Sequence, residues 1–125
     1  SDCTIIVTGG ILEEVLLAYE TLTSEGISAR ILNMHTIKPI DERAIMAACA
    51  ETGAIITVEE HTVYGGLGGS VSEVLMYGNT FPKNFLCIGF EAGFSSIIGS
   101  QAYLRQHYRL DASSIADRVL SLLKG

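Results

Sequence analysis

The chain has 125 residues, 48% of them hydrophobic and 18% charged, with Gly 13 against Pro 2; that suffices for one ordinary core and excludes a disordered or collagen-like chain. Its 8 Lys plus Arg against 14 Asp plus Glu leave a net charge of -6, no field for a phosphate backbone, so nucleic acid is a poor reading. No apolar run approaches the ~20 residues that cross a bilayer, and the chain does not open on a basic segment, hydrophobic stretch and cleavage site, which points to a soluble, unexported, cytoplasmic single domain.

Cys3 to Thr8 is short and rich in β-branched residues, as a strand buried on both faces should be. Gly9-Gly10 ends it. Ile11, Leu12, Val15, Leu16, Tyr19 and Leu22 then recur at helical spacing, and Gly26 stands where a left-handed stop is needed. Ile27 to Met34 reads as a second strand. A connector holding His35 and Lys38 follows, in which Pro39 blocks a preceding helix and Asp41 caps a helix from Glu42 to Thr52, stopped by Gly53. Ala54 to Val58 is the third strand. The loop Glu59 to Gly66 leads into a helix from Leu67 to Tyr77, ended by Gly78-Asn79, and Phe85 to Gly89 forms a fourth strand. Beyond it come a loop with Gly93 and Gly99, a helical turn around Gln101 to His107, and a last helix capped by Asp111 or Ser113 that carries Ile115, Val119, Leu120 and Leu123.

Strands alternating with helices require right-handed crossovers, so the predicted fold is α/β: an open, three-layer, mainly parallel sheet of four to five strands with helices on both faces. The order 2-1-3-4 follows. It opens a crevice beyond the carboxyl ends of strands 1 and 3, between Gly9-Gly10 and Glu59-Glu60-His61. Cys3, Cys49 and Cys87, odd in number and set among apolar or small residues, read as reduced core thiols rather than bridges or metal ligands.

One segment carries chemistry. Strand 3 ends in Glu59, Glu60 and His61, after which Gly65, Gly66, Gly68 and Gly69 surround a helix start. In a functional reading, the freed amides cradle an anion such as a phosphate while His61 or Glu60 handles a proton. In a structural reading, the glycines bring the helix close to a neighbour, and Glu59, Glu60 and His61 hydrogen-bond the loop into shape. The Lys-Ser or Lys-Thr ending of a P-loop is missing, and physics alone favours structure. Gly9 and Gly10 suit capping better than anion binding, because Glu13 and Glu14 already load the first helical turn with negative charge. His35 reads as a surface or interface residue. Arg105, His107 and Arg109 form a small basic patch on a solvated face, with a phosphate or a partner's carboxylates as the alternative. No nucleophile elbow and no metal-spaced His/Cys cluster stands out.

Taken in order, Val7-Thr8-Gly9, the run Ile31 to Asp41, Val58-Glu59-Glu60-His61, Gly65-Gly66-Leu67-Gly68-Gly69-Ser70 and Val71 to Val74 resemble the C-terminal domain of transketolases. The same domain closes deoxyxylulose-phosphate synthases and 2-oxoacid dehydrogenase β chains. The resemblance continues through Ile88-Gly89-Phe90, Phe94, Gly99-Ser100 and Leu110-Asp111, and is nearest to the bacterial transketolase divided between two polypeptides. It implies part of an enzyme of the pentose phosphate pathway that moves a two-carbon ketol unit between sugar phosphates with thiamine diphosphate and Mg. In that family an N-terminal domain holds the diphosphate and metal, and a middle domain supplies the cofactor ring's site and the activating glutamate. The implied role here is a third domain, excised or separately encoded, that binds no cofactor and is inactive alone. Its partners are the N-terminal and middle domains, within a homodimer.

Under that reading Glu60, His61 and the helix begun at Gly66 face a partner, and Gly68→Leu should weaken dimerisation of the complete enzyme. The alternative is a small-ligand or regulatory domain using the crevice. Two departures stand out. Glu91-Ala92-Gly93-Phe94 replaces a stretch that carries a charged pair in many relatives, and Arg109 stands where a glycine is common. A left-handed backbone at Arg109 would carry strain of order 1 kcal/mol. Family domains also often have an antiparallel strand upstream of Cys3, whose absence would expose a sheet edge.

Overall fold

Short apolar runs form the centre of each strand, and the intervening segments wind into amphipathic helices. The computed structural model describes residues 1–34, 40–62, 66–90 and 109–124. Among these, the strands are Cys3–Val7 (β1), Ala29–Asn33 (β2), Ala54–Thr62 (β3) and Asn84–Phe90 (β4). The helices are Leu12–Ser24 (α1), entered through a 3-10 turn at Gly9–Ile11, then Glu42–Glu51 (α2), Leu67–Tyr77 (α3) and Ala112–Lys124 (α4). All strand pairs are parallel and the order is β2-β1-β3-β4, as expected.

The two-residue period of the strands divides the core between two faces. Cys3, Ile5 and Val7 of β1, with Ala54, Ile56 and Val58 of β3, pack against Val15, Ala18 and Leu22 of α1 and Ile115 and Val119 of α4. The alternate residues Ile6 and Ile55 pack against Ile45 and Ala48 of α2 and Leu67, Val71 and Leu75 of α3. Each fully buried Leu, Ile or Val contributes roughly 1.5–3 kcal/mol. Such burial on both sides explains why β1 shows no polar alternation.

Local signals act where expected. Gly26 takes φ 82 after α1, and the Asp41 carboxylate accepts the Ala44 N–H at 3.0 Å. The helix expected to run to Thr52 before Gly53 ends at Glu51, where Thr52 closes it in an extended conformation (φ -131, ψ 159). Arg109 does take the left-handed backbone, φ 61. The helical turn expected at Gln101 to His107 and the departure at Glu91 to Phe94 lie outside the described residues.

All three cysteines are free thiols, Cys3 and Cys49 buried and Cys87 half-buried. Burial, with the Asp2 carboxylate second, pushes the Cys3 thiol from 9.0 up to about 11. The folded chain therefore holds this proton more tightly than the unfolded one. The resulting stabilisation is complete below pH 9.0 and is lost as pH rises toward about 11. Denaturation midpoints measured over that window should fall for the wild type and fall less for Cys3→Ala; equal slopes would show that Cys3 does not carry the effect.

Candidate functional site

In a parallel sheet every strand points the same way, so Val7, Thr62 and Phe90 all reach one edge, where the next helices begin. The notable departure from expectation is there. Strand β3 does not stop at Val58 but continues to Thr62, so Glu59, Glu60 and His61 stand in the strand rather than in a loop. The pairing with β4 shifts on the way: Val58 is opposite Ile88, yet Thr62 is opposite Phe90, so β3 uses four steps where β4 uses two. Such a bulge bends a strand and redirects its side chains.

Strand alternation places Ile55, Thr57 and Glu59 on the face covered by α2 and α3. Glu59 is fully buried. Its carboxylate accepts the Leu67 N–H at 2.8 Å on one oxygen and the Gly68 N–H at 2.9 Å on the other. Gly66, at the helix start, supplies no side-chain cap, so Glu59 caps α3 from the neighbouring strand. Exposed amides and the positive end of the helix dipole compensate a buried carboxylate that would otherwise cost several kcal/mol.

Within the same first turn, Gly68 lets α3 lie close on the sheet. A Cβ at this position would come 2.7 Å from Cys87 Sγ and 3.1 Å from Thr57 Oγ1, closer than atoms of these kinds pack. Thr57 Oγ1 is buried beneath it without a hydrogen-bond partner among the described residues. Gly69, in contrast, has open space beside it. Gly68, chosen as the probe of a partner-facing helix, is therefore buried inside the domain. Gly68→Leu is a packing defect in this chain before it is a probe of dimerisation.

The same logic recurs at the starts of α2 and α4. Asp41 caps α2, and the Glu14 carboxylate of α1 accepts the Ala112 N–H of α4 at 2.8 Å. Asp111, expected to cap the last helix, takes the Ser114 hydroxyl at 2.7 Å. Three helix N-termini thus each hold a carboxylate of the chain itself. Gly9 adopts φ 79 in the turn before α1, and the Thr8 N–H reaches the Val58 carbonyl at 3.4 Å, so the Gly9-Gly10 turn sits beside β3 as foreseen. Glu60 is half-buried within β3. His35 and Gly65 lie outside the described residues. A cavity of about 250 Å³ lies at the opposite end of the sheet, between Asp2, Gly53, Lys83 and Lys124.

The structural reading of the Glu59 to Ser70 segment accounts for these contacts. The amides that could cradle a phosphate at α3 are occupied by Glu59. The missed signal was alternation: continuing Ile55, Thr57 by two residues points Glu59 at the helix. The contact between Glu14 and Ala112, 98 residues apart in sequence, leaves no local trace.

Comparison with known proteins follows the same lines. Residues 1–115 match the family model described as transketolase, C-terminal domain. The chain is 40% identical over 114 residues to 6-deoxy-6-sulfo-D-fructose transketolase subunit SqwH of Clostridium sp. (strain MSTE9), covering 91% of this chain and 34% of that protein. It is 41% identical to an apulose-4-phosphate transketolase subunit of Phocaeicola vulgatus, covering 99% of this chain and 38% of that one. A solved split gene transketolase, an inactive β4 tetramer, superposes with a TM-score of 0.84 at 34% identity, over 98% of this chain and 39% of the other. The chain spans little more than a third of each relative's length.

Glu59→Gln keeps one acceptor but turns an NH2 toward an amide N–H, and should cost about 2 kcal/mol of stability; a loss below 0.5 in urea denaturation would show that the bonds contribute little. Gly68→Ala should destabilise by about 1–3 kcal/mol through the contact with Cys87, while Gly69→Ala should stabilise α3 by up to about 1 kcal/mol. The same measurement separates them, since equal effects would contradict the packing described.

Proposed function

The chain belongs to the transketolase C-terminal domain family, and we propose that it is the third domain of a thiamine-diphosphate-dependent transketolase, of the kind divided between polypeptides. The complete enzyme moves a two-carbon ketol unit between sugar phosphates in the cytoplasm. This domain makes no bond itself. It braces neighbouring polypeptide, shapes the entrance of an active site formed elsewhere, and contributes to a homodimer.

The observation that carries this reading is the occupancy of first-turn amides of α2, α3 and α4 by carboxylates of the chain itself. A diphosphate with its Mg needs free amides or a cluster of carboxylates. At the carboxyl end the amides of Leu67 and Gly68 already bind Glu59, and the Ala112 amide binds Glu14. Among the described residues no group of three His, Cys, Asp or Glu side chains could hold a metal ion. These residues do not fit the cofactor, which in this proposal is held by the N-terminal and middle domains. Further support comes from relatives that are themselves transketolase subunits, and from a split gene transketolase that is inactive as a β4 tetramer.

The purified chain alone should not turn over ketose phosphates or bind thiamine diphosphate in calorimetry, and activity should appear when polypeptide carrying the N-terminal and middle domains is supplied. Turnover or cofactor binding by the chain alone would refute the proposal. A rise in melting temperature with sugar phosphates, nucleotides or metals would favour instead a ligand site in the crevice between Gly9-Gly10 and Glu59-Glu60.

A further inference from the structure

We draw no further inference here: the strongest candidate, the exposed apolar side chains of Met76, Tyr77 and Phe81 at the carboxyl end of α3 and in the segment before β4, is a surface patch that nothing in the structure shows to be covered by any particular partner.

Discussion

A carboxylate sealed inside the domain sets the geometry at the carboxyl end of the sheet. Glu59 has no solvent to stabilise it, so the first turn of α3 must present the amides of Leu67 and Gly68 at hydrogen-bond distance. The helix can come that near only because position 68 lacks a side chain. The carboxylate arrives there only because β3 runs on past Val58. Strand extension, buried acid and glycine therefore depend on one another, and a change at any of them loosens the same joint.

This joint is one of three with a shared design. Asp41, Glu59 and Glu14 each place a carboxylate on the start of a helix. In open parallel α/β sheets that edge commonly receives anionic ligands, because helix dipoles and freed amides collect there. Here the chain fills those positions with its own acids. Part of the excess of Asp and Glu over Lys and Arg is thus structural, spent on bonds to amides of the chain's own helices.

Much of the architecture could be read directly. Apolar runs in β1 and β3 marked strands buried on both faces, and the strand order followed from crossover handedness. Asp41 and Gly26 announced a cap and a stop because their chemistry acts within three or four residues. Arg109 posed a conditional question that its φ answered. Three polar residues in succession made Glu59, Glu60 and His61 look like a loop, because composition outweighed the pleat. The site was correspondingly half legible: its segment stood out, but not which glycine faced inward or which carboxylate was buried.

Helix and strand identity, parallel order and local caps came from the amino acids themselves, since each depends on side-chain shape and period over a few positions. The pairing of Glu59 with α3, the fit of Gly68 over Thr57 and Cys87, and the reach of Glu14 to Ala112 were decided only by tertiary packing. Those contacts join residues that become neighbours after the sheet has formed and its two faces are covered. Until then, nothing distinguishes a carboxylate that will be sealed against amides from one left in water.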